Sequence, residues 1–242
     1  MLVEKGTGCT FLGSDNKKIK SQKIRPKPTA PVDIIAYRNF AKSSTAENFV
    51  PHIYLDKLGN PTVGIGHLIP DAQAAGNLAN KYVFTRKGTN VRSTSTDLEN
   101  DFNAVNSTGS LNFVASAFAK LTQHEMSLAE AEQLALDDIR EKVRQLKSRG
   151  AFPDYDSYPP IAKFALLDMA FTSGVGKILK GFKVFTPAVG RRDWRVAAKE
   201  SNRAPISADR NTKVRQWFIQ AAIVEIFYIH ASCTKNLKTK RV

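Results

Sequence analysis

Residues 161–171 constrain the chain more than any other stretch. Ile161, Phe164, Ala165, Leu166, Leu167, Met169, Ala170 and Phe171 surround a helical axis almost completely. A helix that is apolar on every side has no face to offer water, so other elements must enclose it. The chain has 242 residues, 42% of them hydrophobic, which suffices for one large domain or one compact domain carrying extra segments. The first expectation is therefore a buried central helix with a shell of further elements around it.

The shell is readable in outline. Asp33 is placed to cap a short helix over residues 33–42, with Ile34, Ile35, Tyr37 and Ala41 as its apolar members. The run Ser43, Ser44, Thr45 favours a break. Two extended runs, residues 52–55 and 61–65, flank the turn formers Asp56, Lys57, Leu58, Gly59 and Asn60, which is the pattern of a hairpin. Residues 75–122 hold scattered Gly, Asn, Ser and Thr and predict an irregular insertion with short helices. Ser127 and Glu130 form a capping-box pattern opening a helix to about residue 149, with Leu134, Ile139, Val143 and Leu146 on one face and charges on the other. Gly174 and Gly176 should stop the central helix, and further helices are expected over residues 192–200 and, after Pro205, over 208–230. Trp194, Trp217 and Phe182 read as core residues. The fold class is α+β, mainly α: a small N-terminal β-hairpin subdomain and a helical C-terminal lobe around the buried helix.

Charge bounds the partners. The net charge is +14, which points to a polyanion: nucleic acid, an anionic membrane face or an acidic wall polymer. Residues 1–31 carry seven Lys or Arg against two acids, and residues 232–242 carry four with no acid. We expect 1–31 to be a basic, proline-spaced flexible tail, 32–231 a folded domain with an enlarged insertion at 75–122, and 232–242 a basic C-terminal tail. No run of about 18 apolar residues occurs and the start lacks a secretory signal pattern, so the expectation is a chain made in the cytoplasm without a signal peptide and with no stable membrane insertion. The two cysteines, Cys9 and Cys233, cannot build a disulfide framework or a zinc cluster; a single end-to-end bridge and free thiols both stay open. No metal or cofactor is expected.

Hydrolysis of a glycoside needs one carboxylic acid to protonate the leaving oxygen and a second polar group to attack or to orient water on the opposite face. Glu47 lies just before the hairpin and Asp56 in its turn, so a folded-back hairpin can bring both to one place. Taken singly, such a pair is most often ordinary surface charge. The full segment runs Glu47-Asn-Phe-Val-Pro-His-Ile-Tyr-Leu-Asp56-Lys-Leu-Gly-Asn-Pro-Thr62-Val-Gly-Ile-Gly-His67. It resembles the active-site hairpin of the phage-type lysozymes, the muramidase family that includes endolysins and pesticin-like bacteriocins. In that pattern Glu is followed after eight residues by Asp, after five more by Thr, and then by a Gly-Ile-Gly-His end. The resemblance continues through Ser127-Leu-Ala-Glu-Ala-Glu-Gln-Leu, Tyr155-Asp-Ser, the 164–171 run, Gly181-Phe182, the stretch opening at Arg192, and Asp209-Arg210. It covers roughly residues 39–230 and excludes the basic tails and much of 75–122.

The resemblance implies a lysozyme-like fold and hydrolysis of the β-1,4 bond between N-acetylmuramic acid and N-acetylglucosamine. Glu47 would be the general acid, and Asp56 and Thr62 would hold the attacking water of an inverting reaction. Gly64, His67, Asp138, Thr172 and Arg210 would line or support the site: His67 pairing with Asp138, and Arg210 lying near the acid. Gly64 and Gly66 read either as backbone close to sugar or as a bend, with the bend favoured. This chain departs from the pattern where Thr172 replaces a cleft Gln and where Arg203 or its neighbour stands in place of a Trp. The implied partner is bacterial peptidoglycan in the periplasm or wall of a host or target cell. An immunity or inhibitor protein would accompany a bacteriocin or injected toxin, the role favoured over a minimal endolysin. The expected state is a monomer that does not bind nucleic acid, since no nucleic-acid motif appears and the basic residues gather at the ends. A catalytically idle wall or polyanion binder with the same fold is the alternative.

Overall fold

The computed structural model describes residues 29–43, 46–109, 114–148, 150, 152–204 and 206–238, with side chains to residue 227, and the backbone of three short strands before them. Those strands, β1 (Val3–Glu4), β2 (Gly8–Thr10) and β3 (Gln22–Lys23), pair antiparallel in the order β1-β2-β3. The rest of residues 1–28, and the side chains of Cys9 and Cys233, lie outside the described residues. The chain is mainly helical with small antiparallel sheets, as expected of an α+β, mainly α class. It divides into two compact units, one of Asp33–Val143 and one of Met1–Val32 with Arg144–Val242.

The first unit begins with α1 (Ile34–Ala41), capped by Asp33, whose carboxylate accepts from the Ala36 N–H at 2.9 Å. Tyr37 and Ala41 are buried as expected, but Ile35 is exposed: only one side of so short a helix can face the core. The hairpin follows as β4 (Val50–Leu55) and β5 (Pro61–Gly64), and β6 (His67–Leu68) adds a third antiparallel strand to β5. Tyr54 is registered with Thr62, so the two side chains share a face, and the β4–β5 register shifts between Val50 and Tyr54.

Residues 75–122 are more regular than expected. They hold most of α2 (Ala72–Lys81), β7 (Phe84–Arg86), α3 (Ser95–Asn106) and a 3₁₀ segment, Ala115–Lys120. Asp71 caps α2, and Thr94 and Asp97 form a reciprocal capping box on α3. That box was legible as Thr-x-x-Asp, while the many polar residues around it masked the helix. β7 pairs antiparallel with β8 (His124–Met126). Gln123 N–H, His124 N–H and His124 Nδ1 all bond buried Asp101 of α3, tying β8 to that helix. α4 (Leu128–Ser148) starts where Ser127 Oγ accepts from the Glu130 N–H. The Glu130 carboxylate accepts instead from the Val83 N–H at 3.0 Å, so the expected box also ties α4 to the segment before β7. Leu134, Ile139 and Leu146 are buried and Val143 is half-buried.

In the second unit the central helix is α5 (Pro160–Ser173), whose Ala162, Ala165, Leu166, Leu167, Met169 and Ala170 are all buried. Gly174 ends it with φ +76°, a conformation that costs glycine little. Gly176 does not act as a stop; it lies inside α6 (Val175–Gly181). α7 (Phe185–Gly190), not foreseen, precedes α8 (Trp194–Glu200), which starts two residues later than expected at an Asp193 cap. α9 (Ala208–Lys238) continues seven residues past the expected boundary at 231. Trp194 is buried, stacked on Phe218 of α9 and edge-on to Tyr158, whereas Trp217 and Phe182 are half-buried. Polar groups inside this unit find partners across the fold: the Arg192 guanidinium bonds both Glu225 oxygens at 2.8 Å, and buried Lys163 donates to Thr29, Ala30 and Asp156. Thr29 and Ala30, assigned to the tail from sequence, are thus fastened to this unit.

Candidate functional site

Glu47 is presented by a turn that folds back on α1. Its N–H donates to the Ala41 carbonyl at 2.9 Å, the Ala46 N–H donates to Ser43, and Asn48 takes a positive φ of 65°, tolerable for Asn, to turn the chain into β4. The Glu47 side chain is half-buried and lies against Gly66, where a β-carbon would come within 2.9 Å of its Cγ and 3.1 Å of its Cδ and Oε2. Gly66 has φ +75°, so both conformation and space require glycine there. The glycine that bends the strand end is the surface against which the carboxyl of Glu47 rests.

Asp56 sits half-buried at the hairpin turn. Its Oδ1 accepts from the N–H groups of Leu58 and Asn60, both at 2.8 Å, and Oδ2 accepts from the Asn60 side-chain amide at 3.1 Å. Two residues of the same turn, Leu58 and Asn60, therefore orient this carboxylate. Thr62 is buried and its hydroxyl donates to the Asn60 carbonyl at 2.9 Å. Tyr54, registered opposite Thr62 and 8% exposed, joins the set: burial pushes its phenol above the ordinary tyrosine range, and the negative charges of Glu47 and of Asp56 push the same way. Strand pairing sets Tyr54 opposite Thr62 and two residues before Asp56, and Glu47 rests on Gly66 just past β5, so the one hairpin carries Tyr54, Asp56 and Thr62 and packs against Glu47. Sequence reading missed Tyr54; its place two residues before Asp56 and opposite Thr62 in the strand pairing was the available signal.

The supporting residues are divided between the two units of the chain. His67 Nδ1 meets Asp138 Oδ2 at 2.8 Å, so the expected pair between hairpin end and α4 forms. Gly64, with φ +68°, is buried, and a β-carbon would come within 3.3 Å of Met126 Sδ and 3.4 Å of Ala131 Cβ. It serves as a bend and a close contact with the start of α4, which agrees with the favoured reading. Thr172 and Arg210 belong to the other unit. There the Thr172 hydroxyl donates to the Asp168 carbonyl and accepts from Arg203 Nη1, and Arg210 bonds Asp168 Oδ1 through Nη2 at 2.8 Å. Asp168 is wholly buried and also takes Arg203 Nη1 at 2.8 Å. Arg203 is itself buried, so a charged pair occupies that part of the helical packing.

Among the described residues no group of three or more His, Cys, Asp or Glu is arranged to hold a metal. Comparison with protein-family models and with curated proteins finds no match to the chain.

Proposed function

We propose that this chain is a muramidase with a lysozyme-like fold, cutting the β-1,4 bond between N-acetylmuramic acid and N-acetylglucosamine in bacterial peptidoglycan. The observation that carries the reading is the pair of carboxyls set by one hairpin, Glu47 resting on Gly66 and Asp56 held in the turn by the Leu58 and Asn60 N–H groups. In this reading Glu47 protonates the leaving oxygen. Thr62 commits its proton to the Asn60 carbonyl, leaving lone pairs that accept from a water. Asp56 Oδ2 carries one hydrogen bond, from Asn60, and has capacity for a second from the same water. Asp56 and Thr62 so orient the water for attack on the anomeric carbon with inversion, and Asp56 takes the water's proton as the new C–O bond forms and the glycosidic bond breaks. The net charge of +14 favours approach to an acidic wall. The setting we favour is antagonism between bacteria, which would pair the enzyme with an immunity protein.

The test is Glu47→Gln on purified sacculi. Gln keeps the size of the side chain and removes the transferable proton, so turbidity clearing should slow by on the order of 10²–10⁴ while circular dichroism stays unchanged. Near-normal clearing by this variant would overturn the assignment. Wild-type protein that binds sacculi and never clears them would leave the idle binder as the better reading. The anomeric configuration of the first product decides between water and a side chain as the attacking group.

A further inference from the structure

α9 carries two apolar stripes on opposite sides. Val214, Phe218 and Ala221 are buried in its own unit, with Arg210 and Glu225 on the same side. Ile219, Ile223, Ile226 and Phe227 recur at helical spacing and are 42%, 51%, 40% and 70% exposed. At 100° per residue the second stripe lies nearly opposite the first, so it contributes little to this unit's own packing. Four large apolar side chains in one exposed row are more than scattered surface residues, and such rows mark contact with another phase or molecule.

Charge selects the occupant. From Ile226 to the last residue the sequence has Lys235, Lys238, Lys240 and Arg241 and no Asp or Glu. An apolar helical stripe followed in sequence by a cationic segment is the pattern of a helix lying in a membrane interface, its apolar side among the acyl chains and the cations among anionic headgroups. A second copy of this chain fits less well, because each copy brings +14. Among the described residues no helix is long and apolar enough to cross a membrane, so the contact would be peripheral. We infer that the exposed Ile219–Ile223–Ile226–Phe227 face of α9, with the basic segment that follows it, docks on anionic phospholipid bilayers. This does not rest on the muramidase reading.

The full-length chain should be sedimented with vesicles of phosphatidylglycerol and phosphatidylethanolamine, and with vesicles of phosphatidylcholine alone. We expect at least tenfold tighter binding to the anionic vesicles, weakening as salt rises. The double variant Ile223→Ser, Phe227→Ser should lose that advantage while keeping its helical circular dichroism. Amide hydrogen exchange on the unmodified chain gives an independent reading: anionic vesicles should slow exchange over residues 216–227. Equal binding of wild type and double variant to anionic vesicles would overturn the proposal, as would unchanged exchange in α9. Concentration-dependent self-association of the wild type, absent from the double variant and without vesicle binding, would assign the face to a second copy instead.

Discussion

Asp56 and Asp168 are both hydrogen-bonded aspartates, and they are held in opposite ways. Asp56 sits half-buried in a turn, and its partners, Leu58 and Asn60, are within four residues. Asp168 is sealed inside the helical unit and paired with Arg203 and Arg210, 35 and 42 residues away. The first carboxylate keeps contact with solvent and spare hydrogen-bonding capacity, which the proposed reaction requires. The second is fully committed to structure: two guanidiniums offset its desolvation, and one nitrogen, Arg203 Nη2, is buried with no hydrogen-bond partner. A site needs groups left partly unsatisfied, while a core needs them neutralised.

The sharpest way to break this contrast is Asp168→Asn. Removing the charge leaves Arg203 and Arg210 buried without their carboxylate, and breaking a buried pair from one side costs about 3–5 kcal/mol. Urea denaturation should show a loss of that size. A loss under about 1 kcal/mol would mean that the cluster is not a structural keystone.

Asp56→Asn should do the reverse. Asn still accepts from the Leu58 and Asn60 N–H groups, so the unfolding transition should move by no more than about 1 kcal/mol. Sacculus hydrolysis should fall by on the order of 10², because the water loses its charged partner. If stability and activity fell together, Asp56 would be no more than a turn residue.

Gly66→Ala tests the link between the bend and Glu47. A β-carbon there meets Glu47 Cγ at 2.9 Å, and a non-glycine residue at φ +75° costs about 1–3 kcal/mol. The acid must shift, so activity should drop by more than stability alone explains. Gly88, also at positive φ (+70°) but with nothing within 4 Å of where a β-carbon would stand, is the control: Gly88→Ala should show the strain without the loss of turnover.

The smallest effect concerns pH. Burial lowers the pKa of His52 below its ordinary 6.5, against an opposing bond to the Ala115 carbonyl; Lys87 pushes it down and Glu125 and Asp101 push it up. The unfolded chain therefore takes up this proton at higher pH than the folded one. The stability tied to neutral His52 is complete above about pH 6.5 and is lost as pH falls from there through the folded value. His52→Gln, which can still donate to Ala115, should flatten the stability profile in that window, and thermal melts between pH 5 and 8 would show it. An unchanged slope would remove His52 as the cause.

What sequence determined by itself is whatever short-range physics controls. The apolar run at 161–171 had to be largely buried, Asp33 had to cap a helix, and turn formers at 56–60 had to close a hairpin, which by itself holds Asp56 and Thr62 on one hairpin. The regular helices α2 and α3 were hidden because polar caps and small residues read as loop until packing offsets their ordering entropy. Only tertiary structure could decide that Glu47 rests on Gly66 and that Asp168 draws in Arg203 and Arg210. Those contacts join residues that local propensity does not relate, and their strength comes from exclusion of water, which exists only once the chain has closed around them.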